Sequence, residues 1–141
     1  MTPIYREIHG WMGKPFVWGE TDCMLVLADW IARVRGVDPA SAIRGTYDSR
    51  GSCQRETGFL RDPVAAVERC LATIGGLERV SAPRAGDMAL ILVREPDGRV
   101  SPCGALWLGE AWACKGPSGA TTIKPQAVIE VLAIWSVGYE A

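Results

Sequence analysis

Trp18-Gly19-Glu20-Thr21-Asp22-Cys23 leads straight into an apolar run that continues to Val34. Thr21 is of a type favoured at a helix N-cap. Asp22 behind it places a negative charge in the first turn, where the helix dipole favours one. The run Cys23–Val34 is apolar nearly all round, which predicts a central buried helix rather than a surface one. Gly36 suits its C-terminal stop. Cys23 then falls at about the second position of a capped helix. Free backbone N–H groups and the positive dipole end favour a thiolate there and can hold an oxyanion, as acyl transfer requires. The same position also suits a small buried apolar residue, the commoner fate of a cysteine.

Outward from this helix the period of the sequence divides the chain in two. On the N-terminal side, Thr2-Pro3 reads as a cap followed by a first-turn proline, and Ile4, Ile8, Trp11 and Met12 fall at helical spacing over about residues 3–12. Pro15–Gly19 reads as an extended, aromatic-bearing loop. Downstream, Asp38–Ala42 suggests one helical turn, Tyr47–Gly51 a loop and Cys53–Phe59 a short helix. Asp62-Pro63 opens a further helix with Val64, Val67, Leu71 and Ile74 as its apolar stripe, stopped by Gly75-Gly76. Past residue 76 the pattern becomes strand-like: Leu77–Val80, Met88–Val93, Gly104–Leu108, Ala111–Lys115, Thr121–Lys124 and Ile129–Val137. Helices first and strands second predict an α+β fold with an antiparallel sheet. The 141 residues form one domain, helical over about 1–76 and sheet over about 77–141.

Composition narrows the function classes. Apolar residues make up 48% and charged residues 22%, as in ordinary globular proteins, and no apolar stretch is long enough to span a bilayer. Fifteen Lys and Arg, twelve of them Arg, face sixteen Asp and Glu. With no basic excess or stripe, nucleic acid is not an expected partner, and membrane insertion is not expected either. The N-terminal residues lack the pattern of a signal peptide. Five cysteines (Cys23, Cys53, Cys70, Cys103 and Cys114) include no C-x-x-C pair, which argues against a zinc or iron–sulfur framework; the expectation is free thiols in a reducing compartment and no cofactor.

Several residues carry two readings. His9 is the only imidazole, and its place on the first helix favours an exposed helix-terminal residue over a base for Cys23. Asp22 and Asp29, seven apart, share a helical face; a cap charge and an Arg-paired or solvated carboxylate are favoured over an acid/base pair. Trp11, Trp18 and Trp30 suit core packing better than a ligand platform. With six tryptophans in a short chain, Trp11 and Trp112 are the expected contact anchors.

The segments Pro15-Phe16-Val17-Trp18-Gly19 and Asp22-Cys23 resemble the nucleophile region of NlpC-type papain-like cysteine peptidases. Pro83-Arg84-Ala85-Gly86-Asp87-Met88-Ala89-Leu90 resembles the Gly-Asp turn opening the first core strand of that fold, and Cys103-Gly104-Ala105-Leu106-Trp107-Leu108-Gly109 resembles the next strand. The three segments occur in the family's order. Ala28-Asp29-Trp30, Gly36-Val37-Asp38-Pro39-Ala40, Arg44-Gly45-Thr46-Tyr47 and Ala133-Ile134-Trp135-Ser136-Val137-Gly138 are similar to the branch encoded in tailed-phage tail modules.

The resemblance implies a papain-like α+β fold with Cys23 at the nucleophile position. It also places Cys103 where the family carries its catalytic histidine, and Ala113 or Cys114 near its third polar residue. Met24-Leu25 replaces the usual Ser-Gly after the nucleophile. A thiol cannot accept and return a proton as imidazole does, and general-base help is commonly worth about 10²–10⁴ in rate. The implied function is therefore a structural or assembly component of a phage tail tip or baseplate, on a peptidase scaffold that has lost its base. Its expected partners are the tail-hub and distal tail proteins, and its expected location is the virion tail tip after assembly in the host cytoplasm. The alternative is an active cysteine peptidase or amidase acting on cell-wall peptides during DNA entry. A metal or cluster carrier using several cysteines is a third class.

Overall fold

The computed structural model describes residues 2–140. Four helices come first: α1 (Pro3–Met12), α2 (Leu25–Arg35), α3 (Arg50–Thr57) and α4 (Pro63–Ala72). Five strands follow: β1 (Met88–Arg94), β2 (Val100–Trp107), β3 (Trp112–Gly116), β4 (Gly119–Ile123) and β5 (Glu130–Trp135). They form one antiparallel sheet in the order β4-β3-β2-β1-β5. The expected α+β class and antiparallel sheet are both present.

Strand periodicity builds two apolar layers. Met88 and Leu90 of β1, Leu106 of β2, Ala113 of β3 and Trp135 of β5 join α2 in the main core with Leu25, Leu27, Trp30 and Ile31. Ala89, Ile91, Ala105, Trp112, Cys114 and Ile134 form a second cluster on the opposite face. Burial on both faces explains why β1 is a continuous apolar run rather than an alternating one.

Two ties position α1. Glu7, buried, accepts a forked pair of hydrogen bonds from Arg33 on α2 at 2.5 and 3.1 Å. Lys115 on β3, fully buried, donates from Nζ to the carbonyls of Trp11 and Lys14 at the C-terminal end of α1, both at 2.5 Å. A cation there meets the negative end of the helix dipole, while burial pushes its ammonium pKa down.

Several expectations are corrected. α2 begins at Leu25, so Cys23 lies in the turn before the helix instead of within it. Thr21 is not its cap: the Thr21 hydroxyl accepts from Val17 N–H and donates to the Pro15 carbonyl, tightening the preceding loop. Leu77–Val80 is not a strand; it contributes the single bridge Arg79↔Trp135. The short helix spans Arg50–Thr57 because Ser49 caps it in a reciprocal box with Ser52. Trp11 and Trp112, expected as contact anchors, are buried at 2% and 3% exposure, Trp112 against Trp107.

Candidate functional site

The turn before α2 is organised by one carboxylate. Asp22, buried at 2% exposure, accepts at Oδ1 from the Met24 and Leu25 amides and at Oδ2 from the Gly19 amide and the Tyr47 hydroxyl. The first two bonds satisfy donors at the start of α2, so Asp22 performs the capping that the sequence assigned to Thr21. The Tyr47 bond, at 2.7 Å, ties this turn to the loop before α3. Gly19 holds φ +82°, and a Cβ there would collide with the Tyr47 carbonyl oxygen. Burial and the adjacent Asp22 charge push the Tyr47 phenol pKa up, so it stays a donor.

This turn delivers Cys23 to strand β2. The ladder between β2 and β3 comprises only Leu106↔Ala113 and Trp107↔Trp112, although β2 itself extends back to Val100. The two strands part below Leu106, and the chain at Cys23 approaches β2 there. Gly104 makes the approach possible: a Cβ at that position would collide with the Met24 sulfur and come within 2.6 Å of Leu27 Cδ1 and 2.9 Å of the Cys23 carbonyl oxygen. The Gly104 amide donates to the Cys23 sulfur, and the Cys103 thiol donates to the Gly104 carbonyl at 3.3 Å.

Three thiols therefore stand in a row. Cys23 lies beside Cys103, and Cys103 beside Cys114, near enough for the neighbouring thiols to act on their titration. The neighbouring Cys103, then burial, favours the protonated form of Cys23 and pushes its pKa well above the ordinary thiol value; Asp22 adds a repulsive contribution, and the Gly104 amide acts the other way. The neighbouring Cys114, together with burial, does the same for Cys103, against an opposing contribution from Cys23. All five cysteines are free. Cys53 on α3 and Cys70 on α4 line, together with Cys23, an apolar cavity of about 60 Å³ beneath α2.

The remaining candidates do not join the row. His9 is exposed in the last turn of α1, and none of the interactions acting on Cys23 involves it. Asp29 is bound by Arg44 at 2.9 Å, an arginine that also grips Asp38 at 2.8 Å, so Asp22 and Asp29 are engaged separately. Trp18 is half-buried against Phe16, edge to face, while Trp30 is in the core and donates to the Gly86 carbonyl. Among the described residues no group of three or more His, Cys, Asp or Glu side chains is placed to hold a metal ion, and no helix is long and apolar enough to cross a membrane.

Sequence reasoning singled out Cys23 and Cys103, and the structure brings them together. It gave no role to Tyr47, which entered only as a loop residue and as part of the Arg44–Tyr47 resemblance, or to Lys115, which read as an ordinary strand residue. A protonated thiol flanked by thiols is a poor nucleophile at neutral pH, whatever the oxyanion-binding capacity of the amides beside it.

No curated protein and no solved structure matches the chain. A family model described as a domain of unknown function (DUF6950) matches residues 3–137, and the chain belongs to that family.

Proposed function

We propose that the protein is a structural or assembly component of a bacteriophage tail tip or baseplate, built on an NlpC-type papain-like scaffold whose hydrolytic machinery has been replaced by thiols. The phage assignment rests on the ordered resemblance of its segments to the tail-module branch of that family. The loss of hydrolysis rests on one observation: the residue beside Cys23 is a second thiol, Cys103, and the pair holds its protons; the resemblance puts the family's proton acceptor at that position. The adjacency of these two residues is what the papain-like alignment requires, which supports that finer reading of the α+β fold. The third position of the resemblance, near Cys114, is a thiol as well. Nothing in this row can orient an imidazole or cycle a proton between a nucleophile and a leaving amine.

On this reading the domain acts through its surface, and its partners are the tail-hub and distal tail proteins at the virion tail tip. A stable interface of that kind buries at least about 1,000 Å² in total. The test is a phage deleted for this gene, with tails purified and imaged. Tipless or missing tails, restored by a Cys23→Ala copy, are expected. Intact tails that infect normally would overturn the structural role. Recovery by the wild type but not by Cys23→Ala would transfer the role to thiol chemistry and favour the peptidase alternative.

A further inference from the structure

We propose that Cys23 and Cys103 are a redox site: a dithiol that a small hydroperoxide converts to an intramolecular disulfide, fastening the turn before α2 to strand β2. The geometry comes first. Gly104 lets the Cys23 backbone settle against β2, with the Cys23 carbonyl oxygen 2.9 Å from where a Cβ would stand. Cys103 is the adjacent residue, and its side chain is near enough to that of Cys23 to act on its titration. Neither residue is fully buried, whereas Cys114 is buried in the cluster behind Cys103. Cys53 is buried and hydrogen-bonds Thr57, and Cys70 lies on α4; neither belongs to this thiol row.

The chemistry balances with the peroxide as the only oxidant. The Cys23 thiolate attacks one peroxide oxygen, the O–O bond breaks, and the leaving hydroxide takes up a proton to become water; Cys23 is then a sulfenic acid. The Cys103 sulfur attacks the Cys23 sulfur, the S–O bond breaks, and the departing hydroxide takes the Cys103 proton to form a second water. Two thiols and one peroxide give one disulfide and two waters. Sulfur is oxidised and peroxide oxygen reduced. A dithiol reductant reverses the bridge by exchange through a mixed disulfide. Since both thiols hold their protons beyond the ordinary range, the reaction is slow at neutral pH and accelerates as pH rises.

The test uses the whole chain. Reduced protein is treated with hydrogen peroxide at about pH 8.5, near the ordinary thiol pKa, then alkylated and analysed by intact mass and peptide mapping. The expected product is about 2 Da lighter before alkylation. It has three alkylatable thiols in place of five, a linked pair of peptides carrying Cys23 and Cys103, and reversal by dithiothreitol. Closing a loop this long in the unfolded chain is expected to raise the melting temperature by about 10 °C. Cys103→Ser removes the resolving thiol, so its Cys23 should accumulate as a sulfenic acid trapped by dimedone, while Cys114→Ser retains the bridge. Wild-type Cys23 that ends as a dimedone adduct, or a linkage joining any other pair of cysteines, would overturn the proposal. Five alkylatable thiols remaining after complete reaction of a model dithiol would overturn it too.

Discussion

Asp22 and Tyr47, twenty-five residues apart, share a 2.7 Å hydrogen bond that fixes where α2 begins. The carboxylate also receives three amides, so it is the hub of the turn that carries Cys23. Asp22→Ala would strand those donors in a buried place and is expected to cost about 3 kcal/mol, with Tyr47→Phe costing about 1–2 kcal/mol. Urea unfolding measures both. A Tyr47→Phe protein as stable as the wild type would mean that the tie contributes nothing to this turn.

Gly104 is the contact point between α2 and the sheet. Gly104→Ala forces a methyl group against Met24, Leu27 and the Cys23 carbonyl, and overpacking of this kind costs about 1–3 kcal/mol. Alkylation of Cys23 is expected to quicken as well, because the displaced turn moves Cys23 away from Cys103. Unchanged stability together with unchanged alkylation would contradict the close approach.

Cys23 should titrate late. The neighbouring Cys103 and burial both raise the thiol pKa, so iodoacetamide should react with Cys23 more slowly at pH 7 than with an exposed peptide thiol, and faster as pH climbs. Cys103→Ala removes the first of those causes and should speed the reaction at every pH below the wild-type titration. The stability linkage has the matching sign. Folded Cys23 and Cys103 keep their protons above the value near 8.5 at which the unfolded thiols lose theirs. Their contribution is therefore complete below about pH 8.5 and is lost as pH rises through the folded values. Thermal melts of wild type and Cys103→Ala should diverge least above pH 9. A gap that widens with alkalinity would reverse the assignment.

Lys115 locks the C-terminal end of α1 to β3. Lys115→Met keeps the apolar stem but removes the ammonium donor from the Trp11 and Lys14 carbonyls, at a cost of about 2 kcal/mol. Hydrogen exchange should localise the loss to the last turn of α1. Loss spread evenly over the chain, or none at all, would count against this tie.

Much of the architecture was legible because local signals agreed with it. Pro3 and Pro63 sit in first turns, Asp62 caps α4, Gly36 and Gly58 follow α2 and α3, and the run Met88–Val93 announces a strand covered on both sides. The errors arose where distant residues decide. Thr21 and Asp22 are both good caps, and only the loop bearing Tyr47 selects Asp22. Leu77–Val80 has a strand-like composition, yet its pairing stops at the single bridge Arg79↔Trp135, flanked by bonds from Val80 N–H to the Ile134 carbonyl and from Ser136 N–H to the Glu78 carbonyl. For the site, the resemblance located Cys23 and Cys103, but their adjacency and the third thiol depend on how β2 and β3 splay, which no local pattern encodes. Nor does the one-letter code reveal that a strand lysine has its ammonium buried against another helix.

On the proposed reading, Cys23 sits at a nucleophile's position without a base to activate it. The most direct measurement is release of soluble muropeptides from purified peptidoglycan by the isolated wild-type protein, beside its Cys23→Ala variant. The account predicts no product above background from either. Muropeptide release by the wild type that disappears in Cys23→Ala would contradict it.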